Sequence, residues 1–237
     1  MTRRTARLTL DTLADLPPSA RSCVFWELDP VRRARVEAAD EGLSEKEAWL
    51  SRVLLEWGSC GRVVYVDGQA AGFAAYAPAT YLPGAAGLPT APPSEDAVLL
   101  STALVVPEHR GGGLGRMLMQ GVVKDLVKRG GIRAVEAFGD AEAPGAGRDE
   151  DACVLPADYL LRVGFKTHRP HRRYPRMRLE VKSAVTWRSE VEAALEKLLG
   201  AVRPAPSASP ATERTGSAPP GSGRTGSGRT GSGRPVL

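Results

Sequence analysis

One stretch, Val98 to Gly131, constrains the fold more than any other, because a buried strand, a glycine-rich turn and an amphipathic helix follow one another directly. Val98-Leu-Leu-Ser-Thr-Ala-Leu-Val-Val106 is a continuous run rich in β-branched residues, the pattern of a strand covered on both faces, and Pro107 stops it. After Glu108-His-Arg110 come Gly111, Gly112, Gly113, Leu114 and Gly115. Leu114, Leu118, Val122 and Leu126 then form one ridge of a helix, with Arg116, Gln120, Lys124 and Lys128 on the opposite, wet face. Lys128 and Arg129 suit the negative end of the helix dipole, and Gly130-Gly131 release the chain. Such a turn lets backbone N–H groups crowd toward an anion without Cβ atoms in the way, with the positive end of the helix dipole facing the same point. The unit predicts a diphosphate cradle. A P-loop would end in Gly-Lys-Ser/Thr, whereas Arg116-Met117 follows Gly115; a dinucleotide fingerprint would need glycine at 116 or 118, where Arg116 and Leu118 stand. Spacing excludes both.

Elsewhere, Arg62 to Val66, Asp67-Gly68 and Gln69 to Tyr76 predict a β-hairpin, since Asp-Gly supplies the positive φ angles of a type I′ turn. A helix is expected around Ala20 to Leu28 and a second from Pro30 to about Ala39. Ser44-Glu-Lys-Glu47 matches a capping box ahead of Trp49, Leu50, Val53, Leu54 and Trp57 at helical spacing, ended by Gly58. Five prolines between Pro78 and Pro93 predict a loop. The longest apolar run is about half the roughly 20 residues of a membrane-spanning helix. The N-terminus starts basic but continues without the apolar stretch of a secretory signal. The chain is therefore expected to be cytoplasmic. Cys23, Cys60 and Cys153 are odd in number, far apart and without Cys-x-x-Cys spacing. That excludes a disulfide framework and leaves three small buried or half-buried thiols, of which Cys23 has the more unusual neighbours. Of the net charge of +5, +4 belongs to residues 203–237, a Pro/Ala/Ser then Gly/Ser/Thr/Arg segment with nothing to bury. Residues 1–200 are expected to fold as one domain and 201–237 to form a disordered tail.

Val106-Pro107-Glu-His-Arg110-Gly-Gly-Gly113-Leu-Gly115 resembles the acyl-CoA signature Arg/Gln-x-x-Gly-x-Gly/Ala of the GNAT superfamily of N-acetyltransferases. The preceding strand, the proline three residues before Arg110 and the helix after it fit the same pattern, and the resemblance spans about residues 8–182. Pro156 and Tyr159-Leu-Leu-Arg-Val-Gly-Phe165 look like the superfamily's second cofactor-side motif. The resemblance implies an α/β GNAT fold, with a central mixed, mostly antiparallel twisted sheet flanked by helices, a strand at Ile132 to Phe138, a short helix, then two more strands. It implies acetyl-CoA as co-substrate, held by Arg110, Gly111, Gly112, Gly113, Leu114, Gly115 and Arg116, with the pantetheine running beside Leu104, Val105 and Val106. The implied activity is N-acetyl transfer to an amine of a small molecule or protein.

Amine acetylation needs a route for the amine's proton and a donor to the departing thiolate. Many superfamily members carry that donor, a tyrosine, four residues before the glycine of the Gly-Phe pair. Here that position is Leu160. Tyr159 is adjacent, but one residue on a helix is a rotation of about 100°, so it is expected to point elsewhere. Glu136, a carboxylate in a mainly apolar strand, is either an outward-facing strand residue or part of the acceptor cleft. Glu27, in Ser22-Cys-Val-Phe-Trp-Glu27, lies on a segment that the resemblance places against the acceptor, with Trp26 beside it. Glu27, Glu136 and Tyr159 are thus the catalytic candidates. Lys166 to Arg178 holds six Lys/Arg, two His and no acid; it is either a solvated hairpin or an arm for an acidic partner. His168 and His171 lack further clustered ligands, so no metal is expected. A non-catalytic acyl-CoA sensor, or a nucleic-acid-associated protein using residues 166–178 and the tail, are the alternatives; membranes are not an expected partner.

Overall fold

An antiparallel ribbon opens the chain, with β1 (Arg3–Arg7) laid along the outer edge of what becomes the central sheet. In the computed structural model, which describes residues 1–143 and 153–182, four helices follow: α1 (Leu10–Ala14), α2 (Pro18–Ser22), α3 (Pro30–Ala38) and α4 (Gly42–Glu56). β2 (Gly61–Val66) and β3 (Gln69–Ala77) form the hairpin, with Asp67 at φ 48° and Gly68 at φ 90° supplying both angles of its turn. Then come β4 (Ala97–Val105), α5 (Leu114–Arg129), β5 (Ala134–Asp140), β6 (Leu155–Pro156), α6 (Ala157–Arg162), β7 (Lys166–Arg169) and β8 (Arg176–Glu180). The sheet order is β1-β2-β3-β4-β5-β8-β7, with β6 pairing β5. The β4–β5 and β5–β6 pairs are parallel and the rest antiparallel.

Both faces of the sheet are covered. The ridge Leu114, Leu118, Val122 and Leu126 of α5 packs with Val64, Tyr76, Leu100, Val135 and Leu160 on one side. On the other, Trp49, Leu50 and Val53 of α4 meet Val63, Phe73, Leu99 and Phe138. The two apolar layers explain why β4 carries an unbroken hydrophobic run rather than an alternating one.

Several boundaries differ from expectation. The first helical stretch stops at Ser22, because Trp26 is needed in the core, stacked 6.0 Å from Phe138. The helix α4 begins at Gly42, and Ser44 Oγ donates to the Glu41 carbonyl instead of forming a capping box; a capping box forms at Thr9 and Thr12 of α1. Two short 3-10 turns, Ala79–Tyr81 and Pro83–Gly87, lie in the proline-rich loop. The strand expected at Ile132 to Phe138 is displaced to Ala134–Asp140. β1 and β6 were not anticipated. The domain boundary near residue 200 and the tail from 201 onward fall outside the described residues. Among the described residues no helix is long and apolar enough to cross a membrane.

Candidate active site

β4 and β5 pair only from Ala97↔Ala134 to Leu99↔Glu136 and then part. The far end of β4 continues to Val105 with β3 alone on its other edge, so a gap opens beside Leu100–Val105. A bulge between Ala75 and Tyr76 leaves Ser101 as the extra residue of β4; its buried hydroxyl donates to the Ala75 carbonyl and is thereby occupied structurally. Next to the gap lies a cleft of about 460 Å³, walled by Ala103, Leu104 and Val105 of β4, by the turn into α5, and by Pro156, Asp158, Tyr159, Arg162 and Val163 around α6.

The turn has the geometry that a diphosphate cradle requires. Gly111 and Gly113 sit at φ 78° and 80°, where an L side chain is strained, and Cβ atoms built there would meet nothing within 4 Å. These glycines are therefore needed for backbone direction rather than for space. Gly113 is the N-cap of α5 and brings no side chain to cap it, so among the described residues the first-turn amides are presented at the cleft. Leu104, Val105, Arg110, Gly111, Gly113, Leu114, Gly115 and Arg116 all line the cleft. Val106 and Gly112 do not line it: the Val106 amide donates to Ala71, and the Gly112 carbonyl accepts from Arg3 Nη1 at 2.8 Å. Arg3 was missed by sequence reasoning, since its only local signal was a short basic N-terminus. Arg110 Nε donates 3.1 Å to the Val105 carbonyl, which holds its guanidinium at the rim.

Tyr159 corrects an expectation. Leu160 is fully buried in the core, and the phase of α6 that buries it turns Tyr159 into the cleft. A Cβ on Gly115 would lie 3.0 Å from Tyr159 Cε2 and 3.2 Å from its hydroxyl oxygen, so Gly115 is the space that the phenol occupies.

The two carboxylate candidates are placed apart from that cleft. Glu136 is fully buried, which excludes an outward-facing strand residue. It accepts from Ser94 N (3.0 Å) and Oγ (2.7 Å) and from Arg178 Nη1 (3.0 Å), with Arg176 Nε at 3.2 Å and His168 Nε2 at 3.8 Å. Burial alone would raise its carboxyl, but the Ser94 hydrogen bonds, then Arg178 and Arg176, outweigh it and hold the group below the usual carboxylate value. Glu27 is 2% exposed and ion-paired to Lys46 Nζ at 2.6 Å, beside a separate cavity of about 280 Å³ bordered by Trp49, Thr80 and Pro83. The basic run is partly neutralised within the fold, through Arg178 with Asp96, Arg173 with Asp140 and Glu142, and Arg176 with Glu136.

Comparison with known proteins fits this geometry. Residues 24–146 match the model of the acetyltransferase (GNAT) family. Among solved structures, the PaiA N-acetyltransferase from Thermoplasma acidophilum in complex with coenzyme A superposes with a TM-score of 0.51 at 13% identity, over 76% of this chain and 99% of that one. At that identity the likeness speaks to fold alone. An N-acetyltransferase from Staphylococcus aureus Mu50 gives 0.49 at 13% identity, over 76% and 99% of the two chains. No curated protein matches the chain.

Proposed function

The chain belongs to the acetyltransferase (GNAT) family, and from that premise we propose that it is an acetyl-CoA-dependent N-acetyltransferase acting on an amine of a small molecule or protein in the cytoplasm. The observation that carries the reading is the uncapped N-terminus of α5, approached through two left-handed glycines and opening onto the cleft beside the parted strands. These residues fit the co-substrate: the turn from Arg110 to Gly115 offers amides to a diphosphate, and the half-buried edge of β4 at Leu104 and Val105 suits an extended amide chain. Acetyl-CoA supplies an activated acetyl thioester.

In this reading Tyr159 donates a proton to the departing thiolate. Its ring is fixed against Gly115 and its neighbour Leu160 anchors the helix in the core. Glu136 is held ionised by arginines, and Glu27 is clamped by Lys46. A general base works best with a pKa near the working pH, so Glu136, held below the usual carboxylate value, suits positioning of the acceptor-side framework better than proton abstraction. Leu160 is the feature that favours a non-catalytic sensor; Tyr159, at the preceding position and lining the cleft, supports the catalytic reading. Coenzyme A binding by calorimetry, paired with thiol release from acetyl-CoA over a panel of amines, tests the proposal. Binding with acetyl-dependent release supports transfer. Binding with silence across every amine class would favour the sensor, and absence of binding would remove both.

A further inference from the structure

We propose that Cys23 and Cys153 form a redox-active dithiol site that takes hydrogen peroxide as its oxidant and closes to an intramolecular disulfide. Although 130 residues apart in sequence, the two half-buried thiols lie with their Sγ atoms 3.2 Å apart. The fold, rather than chance encounter, holds them there. Cys23 is the C-cap of α2, and Cys153 stands just ahead of β6. Trp26, stacked on Phe138, donates its indole N–H to the Cys153 carbonyl at 2.8 Å, so one buried ring fixes both stretches of backbone.

The surroundings favour a thiolate on Cys23. The hydrogen bond with Cys153 lowers its thiol most, burial opposes that, and the Lys46 ammonium and a backbone hydrogen bond at Phe25 lower it further against Glu27, leaving it at about 6. Cys60 is the internal contrast: fully buried, with burial pushing its thiol up to about 12.

The chemistry balances in two steps. The Cys23 thiolate attacks one peroxide oxygen, the O–O bond breaks, and the departing hydroxide takes up a proton as water, leaving a sulfenic acid on Cys23. The Cys153 sulfur then attacks the Cys23 sulfur; the S–S bond forms as the S–O bond breaks, and a second water carries away the Cys153 proton. Two thiols lose two electrons and peroxide becomes two waters. The bond would tie the segment after α2 to the approach to β6, at the end of β5 where that strand has parted from β4. This assignment is independent of the acetyl-transfer reading.

The test uses the full chain, reduced, desalted, treated with near-stoichiometric hydrogen peroxide at neutral pH, alkylated and analysed by peptide mass without reductant. The expected result is loss of two hydrogens, a single Cys23–Cys153 linked peptide, and Cys60 alkylated only after unfolding. In Cys153→Ser the reaction is expected to stop at a Cys23 sulfenic acid that dimedone captures. Three intact thiols in the wild-type chain, a link between two chains, oxidation of Cys60 ahead of Cys23, or sulfinic acid in place of the bond would each overturn the assignment.

Discussion

Gly113 and Tyr159 make opposite demands on the same cleft, one for backbone freedom and the other for a placed hydroxyl. At φ 80° a β-branched residue costs about 1–2 kcal/mol, so Gly113→Val is expected to weaken coenzyme A binding by roughly tenfold as the amides turn away. Calorimetry on the folded variant measures this, and unchanged affinity would show that the turn does not grip the diphosphate. Tyr159→Phe keeps the ring beside Gly115 and removes only the hydroxyl. Loss of a general acid is expected to lower kcat by about 10²-fold while leaving coenzyme A affinity unchanged. A full kcat would assign the proton to another donor. Placing a tyrosine at 160 cannot substitute, because Leu160 lies in the apolar layer under α6 and a phenol there would have no room.

The strand–turn–helix unit was legible because each part obeys a local rule: β-branched run, proline stop, glycines at positive φ, a four-residue apolar ridge. The hairpin was legible from Asp67-Gly68 for the same reason. β1 was not, since Arg-Arg-Thr-Ala-Arg has no strand pattern and only Ala6 is half-buried; its pairing with β2 decides it. The site followed the same division. The glycine-rich turn into α5 depends on backbone and could be read from spacing, but the direction of Tyr159 depends on how α6 docks, and the meeting of Cys23 with Cys153 on how distant segments pack. Another long-range choice fixes α5: Asp125 pairs with Arg62 of β2 and accepts from Tyr76 of β3 at 3.2 Å. Asp125→Ala strands a cation with 15% side-chain exposure and a buried phenol. The expected cost is about 3 kcal/mol, read as a lower urea midpoint with an unchanged m-value. A loss within ~0.5 kcal/mol would make the bridge incidental.

At the scale of the molecule, a charge cluster centred on the buried Glu136 lies across the sheet at the last pair of β4 and β5. Glu136 of β5 meets Arg176 and Arg178 of β8 and Ser94 of the proline-rich loop, while Arg178 also holds Asp96 just before β4. Glu136 thus links β5 to β8 and to the segment before β4, and Arg178 extends the link to Asp96. The ionisation of Glu136 should therefore appear in global stability. Because the folded state lowers the Glu136 carboxyl below its ordinary value of 4.5, the folded chain binds that proton less readily than the unfolded chain. The resulting stabilisation is fully present above the ordinary value and is lost as pH falls through the lowered one. Asp96, lowered chiefly by its hydrogen bond with Arg178, acts in the same direction. Glu136→Gln leaves the buried Arg176 and the half-buried Arg178 without their shared anion and is expected to cost about 3 kcal/mol at neutral pH. As the medium is acidified the wild-type chain protonates Glu136 and loses the same interaction, so the two stability curves should converge below the ordinary carboxylate value. Denaturant midpoints measured for both proteins from neutral to acid pH check this. A constant gap across the range would mean that the cost of the variant comes from packing at the β5–β8 pair and not from charge.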